Sequence, residues 1–263
     1  VIYADDLIDL FGVDAVRYYV LHEMPYENDG TITWDLLVER FNSDLANVMG
    51  NLVNRTISMS NKYFGGVVES TGIKADVDAD LISVATAARD KVAAKMDEMR
   101  VADAISEVFT LFKRCNKYID ETEPWVLAKD EAKADRLSEV MYNLVESIVI
   151  GANLLIPYMP ESAEAILAQV NAAKRDFDDL DKFGLYESGS KVTDAPQILF
   201  ARQDINVIME KVAEIQAAQK AEYERENGIT EEVAEPVIDI EAKEEIEYGD
   251  FDKLQFRVGK IIK

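Results

Sequence analysis

Trp34-Asp-Leu-Leu-Val-Glu-Arg-Phe-Asn-Ser-Asp-Leu-Ala-Asn-Val-Met-Gly-Asn-Leu-Val-Asn-Arg-Thr-Ile-Ser-Met-Ser-Asn-Lys-Tyr-Phe64 decides how the rest of the chain is read. Its apolar positions Leu36, Leu37, Phe41, Leu45, Val48, Met49, Leu52, Val53, Ile57 and Met59 fall mostly three or four apart, the spacing of one helix face. Gly65-Gly66 stops the run. A helix this long hides its stripe best against other helices, and the flanking sequence supplies them. Asp5 to Phe11 reads as a short helix with an acidic entrance and a stop at Gly12, and Val13 to Glu23 as a second. Pro25 to Gly30 reads as a turn and Gly30 to Thr33 as extended. Further helices are expected over about Asp80 to Met99, Ala102 to Ile119, Asp130 to Leu155 and Pro160 to Ala173. Four or five antiparallel helices with short connections make a mainly α bundle.

Beyond the bundle the pattern changes. Lys182 to Phe200 holds Gly184, Gly189 and Pro196 without a sustained helical period and reads as a surface loop. Gln203 to Arg225 resumes a helical pattern. From Glu210 to Asp250 there are fourteen acidic residues against four basic, a net of −10 within a total of −23 for the 263-residue chain. The glutamate density, with Gly228 and Pro236, predicts a solvated linker. Phe251 to Lys263 partly alternates apolar and polar residues, as a strand does, and a lone strand implies the start of a further domain. The acidic balance argues against nonspecific nucleic-acid binding through a broad basic surface, yet the bundle itself is acidic enough only to leave room for a local basic site. One cysteine (Cys115) excludes an internal disulfide, one histidine (His22) leaves no zinc cluster, and no run spans a membrane, so a reducing cytoplasm is expected.

Two places in the bundle carry chemistry. Asn51 and Arg55 stand four apart in the long helix and project from one face, an amide beside a guanidinium. In Glu123-Pro-Trp125 the proline suits a first helical turn, which leaves Trp125 at a helix entrance, half exposed and open to stacking. Polar hydrogen-bonding groups beside an aromatic platform are suited to unstacked bases. On spacing alone, a solvated polar face and a core or rim anchor are the commoner explanations of the same residues.

With the bundle in place the sequence resembles the C-terminal half of the bacterial methionyl-tRNA synthetases. The resemblance is carried in order by Leu7-Ile-Asp-Leu-Phe-Gly-Val-Asp-Ala-Val-Arg-Tyr-Tyr19, Phe41-Asn-Ser-Asp-Leu-Ala-Asn47, Gly50-Asn-Leu-Val-Asn-Arg55, Lys62-Tyr-Phe-Gly65 and Glu123-Pro-Trp125. It implies five parts: a stem-contact region at 1–33, an anticodon-binding helix bundle at 34–173, a fold-back loop at 174–203, a helix and acidic linker at 204–249, and from 250 the start of a tRNA-binding OB-fold domain. The last rests on Phe256-Arg-Val-Gly-Lys260. The resemblance gives Asn51 and Arg55 anticodon-reading roles and makes Trp125 the platform for the first anticodon base. It makes Arg17, with Tyr18 and Tyr19, candidates for contact with the tRNA stem.

The resemblance also implies an ATP-dependent ligase that joins methionine to tRNA-Met, with ATP and magnesium held by an N-terminal catalytic domain. The HIGH and KMSKS motifs of that domain are not in this sequence. Ser58-Met-Ser-Asn-Lys62 lacks the leading lysine and lies in a helix, so it is no ATP site, and a chain that opens on Val1 is expected to be a fragment inactive alone, with no cofactor and no catalytic residue of its own. His22 is expected to be structural, Cys115 to have no base or ligand partner, and Arg40 and Asp44 to be helix-surface or interdomain charges. A homodimer through the C-terminal domain is a further implication. The other readings are a synthetase of the isoleucine, valine, leucine or cysteine group, and a noncatalytic tRNA-binding protein.

Overall fold

The computed structural model describes residues 2–24, 29–227 and 248–253. Most of the expected turn at Pro25 to Gly30, the acidic linker over 228–247 and the expected strand beyond residue 253 lie outside the described residues. The chain divides into two compact units, 1–217 and 218–263.

In the first unit, α1 (Ala4–Phe11) and α2 (Val13–Glu23) lead to a continuous helical run: α3 (Trp34–Arg40), a π-helical segment Phe41–Gly50, and α4 (Asn51–Phe64). There follow β1 (Val67–Val68), α5 (Asp76–Asp97), α6 (Val101–Thr122), α7 (Pro124–Leu127), α8 (Ala134–Leu155), α9 (Pro160–Gln169), β2 (Ser190–Lys191) and α10 (Ile205–Glu226), whose end crosses into the second unit. The bundle and its boundaries match the sequence reading to within a few residues. In the second unit, Lys220 pairs with Glu224 across one helical turn at 3.5 Å. There α11 (Tyr248–Phe251) is a single turn, closed by the Asp252 amide on the Tyr248 carbonyl at 3.0 Å. Phe251 to Lys253 are therefore a helical turn and not the expected strand start, and there the local bond satisfies the backbone; the rest of that segment lies outside the described residues.

The sequence reading took 34–64 as one regular α-helix, and the π segment corrects it. The buried residues Leu37, Phe41, Leu45, Met49, Val53 and Ile57 recur at a constant four-residue step. In an α-helix each such step overshoots by about 40°, so the stripe would drift about 200° off the core by Ile57. Wide turns of about 4.4 residues undershoot by about 33° per step, and the segment Phe41–Gly50 cuts the net drift to about 50°. The π geometry therefore keeps one stripe facing the bundle.

Helix α8 is the central element, buried without interruption from Leu137 to Leu155. Its buried carboxylates are used as anchors. Glu146 accepts a two-pronged ion pair from Arg175 at 2.9 and 2.6 Å and the backbone amides of Gly184, Leu185 and Tyr186 at 2.9 to 3.1 Å. Glu139 accepts from the Ser70 hydroxyl and the amides of Thr71 and Gly72 at 2.7 to 3.0 Å. Each anchor turns a loop, one after β1 and one before β2, onto the helix. Gly151 completes the packing: a Cβ there would lie 2.4 Å from Phe112 Cε1, so α6 and α8 approach only because that position is glycine.

The expected loop at Lys182 to Phe200 is largely irregular, but it contains β2, which pairs antiparallel with β1 (Val67 with Lys191, Val68 with Ser190). Beyond β2 the chain continues along the long helical run in the reverse direction. The Val192 amide donates to the Gly66 carbonyl at 2.9 Å, and Asn61 Nδ2 to the Thr193 carbonyl at 2.8 Å. The backbone of Phe200 passes Gly50, and Asn42 exchanges two 2.8 Å hydrogen bonds with the backbone of Gln203. Residues 190–203 are thus a strap along 42–66.

Candidate nucleic-acid interface

Asn51 opens α4, exposed, and its backbone amide donates to the Ala46 carbonyl, closing the last wide turn. Arg55 lies one turn on. Its Nη2 stands 3.9 Å from Asp120 Oδ1 near the C-terminal end of α6, with side chains 34% and 71% exposed. Asn116, one turn earlier in α6, donates from Nδ2 to the Val48 carbonyl at 3.0 Å. These two contacts lay the end of the π segment and the start of α4 beside the end of α6 that leads into Trp125. So exposed an ion pair contributes at most about 1 kcal/mol, and Arg55 can exchange Asp120 for an RNA group at little cost.

Helix α6 ends because Glu123 takes a left-handed conformation, φ 43°, its amide still donating to the Ile119 carbonyl at 3.0 Å. A non-glycine residue there costs about 1–2 kcal/mol, and the reversal it permits starts α7 with Pro124 buried at the first helical position. Trp125 follows at 40% exposure, with Val126 beside it at 41%. The half-exposed indole at a helix entrance is where the Glu-Pro-Trp reading put it. Asn51 and Arg55 thus present an amide and a guanidinium on α4, and Trp125 an indole at the start of α7, five residues beyond the Asp120 that Arg55 meets.

Arg17 is elsewhere. Its Nε donates to the Tyr158 carbonyl at 2.7 Å and its Nη2 to the Pro157 carbonyl at 2.9 Å, which fastens α2 to the turn between α8 and α9. Tyr18 and Tyr19 are each 2% exposed, so these two candidates for RNA contact are packed within the protein instead, the helix turning its two largest rings into the core. The Tyr18 hydroxyl donates to Asp44 at 2.9 Å, and burial, then the Asp44 carboxylate, pushes its pKa upward. Of the two readings of Arg40 and Asp44, the structure has the second, charges that tie α2 to the long helix: Arg40 Nε pairs with Glu23 at 2.8 Å and Asp44 accepts from Tyr18. His22 stacks on Tyr18 and shares polar contacts with Glu23 and Ser106 at 2.7 and 3.2 Å, a structural post.

Cys115 is fully buried, and burial pushes its thiol up to about 12. Ser58 to Lys62 sits within α4, with Ser60 donating to the Thr56 carbonyl at 3.0 Å. Among the described residues no three His, Cys, Asp or Glu side chains converge as a metal would require. None of their helices is long and apolar enough to cross a membrane. What sequence reasoning missed at the interface was α6: Lys113, Asn116, Lys117 and Asp120 form a polar stripe at helical spacing, and the stripe was the available signal.

Comparison with known proteins agrees with this arrangement. Residues 1–57 match the family described as class I tRNA synthetases (M), and residues 68–221 match the anticodon binding domain of methionyl tRNA ligase. The chain is 40% identical over 256 residues to the methionine–tRNA ligase of Clostridium perfringens, covering 97% of this chain and 38% of that protein. It is also 40% identical to that of Caldanaerobacter subterraneus, with 98% and 38% covered. The free-state methionyl-tRNA synthetase of Mycobacterium tuberculosis superposes with a TM-score of 0.72 at 33% identity, over 78% of this chain and 41% of that one. The chain thus spans about two fifths of the length of the relatives it matches. With these family models matching most of its length and the helical order in place, this chain belongs to the methionyl-tRNA synthetase family.

Proposed function

We propose that this chain supplies anticodon recognition to a methionine–tRNA ligase, which joins methionine to tRNA-Met at the expense of ATP. The observation that carries the reading is the placement of Asn51 and Arg55 on one exposed face, tied through Asp120 to the end of α6 from which Trp125 emerges. The indole offers a face for the first base of a CAU anticodon. Asn51 can donate and accept at a base edge, and Arg55 can hold an edge or a phosphate. Stacking contributes about 1–3 kcal/mol per base, and leaving a buried polar partner unpaired costs a similar amount. Recognition of this kind requires no bond-making here, and no residue of this chain is assigned to ATP or magnesium.

The five-part division from stem-contact region to OB-fold start, a cytoplasmic setting, a separate catalytic domain and pairing of two copies through the C-terminal domain belong to the same proposal. Arg17 is the weakest member of the site, because two of its donors already serve the turn at Pro157 and Tyr158. Chemical footprinting of a CAU-anticodon tRNA with the whole chain tests the reading. Protection of the anticodon bases, lost in Trp125→Ala, supports it. Protection confined to the acceptor end, or none, overturns it.

A further inference from the structure

The strap 190–203 touches the helical run at the segment whose geometry fixes where Asn51 points. Asn42 and Gly50 mark the two ends of the π region, and each meets the strap. Asn42 Nδ2 donates to the Gln203 carbonyl while its Oδ1 accepts the Gln203 amide, both at 2.8 Å. Gly50 lies against the backbone of Phe200: a Cβ there would sit in ordinary contact with Phe200 N and O at 3.8 Å, and would be tight only against the Leu45 carbonyl at 3.1 Å. Between them the ring of Phe200 meets Phe41 edge-on at 5.5 Å. The last wide turn is closed by Asn51 itself, through its amide on the Ala46 carbonyl.

Wide turns are intrinsically disfavoured and persist where surrounding contacts hold them, often beside functional residues. The phase consequence is large. Each wide turn that reverts to α geometry rotates everything downstream by roughly 80°, which moves the tip of a side chain by several ångström. Base reading tolerates far less than that.

We propose that the strap holds the π segment in place and thereby sets the rotational phase of Asn51 and Arg55, with Asn42 and Gly50 as positioning residues for anticodon discrimination. Asn42 touches no RNA in this account and acts through the helix. Gly50 acts in the same way, because an added methyl group crowds the Leu45 carbonyl across the wide turn. The proposal rests on the anticodon reading above.

The test uses the whole chain and two tRNA transcripts, one with a CAU anticodon and one with its first base changed. Asn42→Ala and Gly50→Ala are each compared with the unaltered chain by the ratio of the two Kd values. Hydrogen exchange at the Asn51 amide is measured alongside. A purely structural loss lowers both affinities together and leaves the ratio alone. The expected result is a ratio reduced at least about threefold and Asn51 exchange accelerated by about tenfold, with α8 amides unchanged. Asn42→Asp, which keeps the acceptor and loses the donor, falls between. If Asn42→Ala fails to fold, Gly50→Ala decides on the same criteria. An unchanged ratio with unchanged Asn51 exchange overturns the positioning role alone. Equal Kd values for the unaltered chain overturn the anticodon reading and the positioning role with it.

Discussion

Replacing Trp125 with alanine should weaken tRNA binding by an amount the structure bounds. A tryptophan side chain presents at most about 250 Å² to a partner. With the residue 40% exposed, about 100 Å² is available to a base. At about 25 cal/mol per Å², complete cover would contribute about 2.5 kcal/mol. A stacked base covers one face of the ring, so the expected loss is about 1–2 kcal/mol, within the measured range for base–aromatic stacking, and Kd rises roughly 5- to 30-fold. Binding can be followed with a fluorophore on the tRNA, because Trp125→Ala removes the indole that would otherwise report. Trp125→Phe should keep most of the affinity. The exposed position makes the folding cost of Trp125→Ala small, and a melting curve checks that. An affinity within twofold of the unaltered chain, on a protein that melts normally, would refute the argument that this indole stacks a base.

Other outcomes follow from the anchors and strained turns. Glu146→Ala strips Arg175 and three backbone amides of their acceptor in a fully buried site, and should cost about 3–5 kcal/mol, read as a lower urea midpoint. Met99 turns between α5 and α6 at φ 59° with 75% exposure, so Met99→Gly should relieve left-handed strain and stabilise the protein by about 0.5–1 kcal/mol, raising Tm by a few degrees. Asp78 is buried, which alone would raise its pKa, but hydrogen bonds from Arg136, Tyr118 and the Ala75 amide outweigh burial and hold it below the ordinary 3.8. Its stabilising contribution is therefore present above about pH 4 and lost as pH falls through the lower folded-state value. In urea titrations at pH 3 to 7, Asp78→Asn should be less stable at neutral pH and show a shallower acid decline; an equally steep decline would exclude Asp78 as its source.

The helices were legible because burial writes a three-to-four-residue rhythm, and Pro124 and Gly65 state where helices start and stop. The π segment was not read, although its signal was present in the unbroken four-residue step from Leu37 to Ile57. A step of four reads as ordinary α spacing unless its accumulated drift is followed. The anchors Glu139 and Glu146 were also out of reach, since a glutamate in a helix ordinarily faces solvent and nothing local announces the loop amides it will meet. For the site, the residue types and spacings of Asn51, Arg55 and Trp125 only raised them as candidates, and the ordered motifs around them supplied the proposed roles. What could not be read was the neighbour that brings two helices together: the Arg55–Asp120 contact spans 65 positions of sequence. Arg17 shows the converse, a cationic residue whose binding capacity is spent on carbonyls that only the folded turn presents.

The central claim is that this chain distinguishes an anticodon. The direct measurement is the ratio of Kd values of the whole chain for a CAU-anticodon tRNA and for the same tRNA with its first anticodon base changed, at one fixed salt concentration. The account predicts at least about a tenfold preference for CAU, the equivalent of about 1.4 kcal/mol. Equal affinities would contradict it.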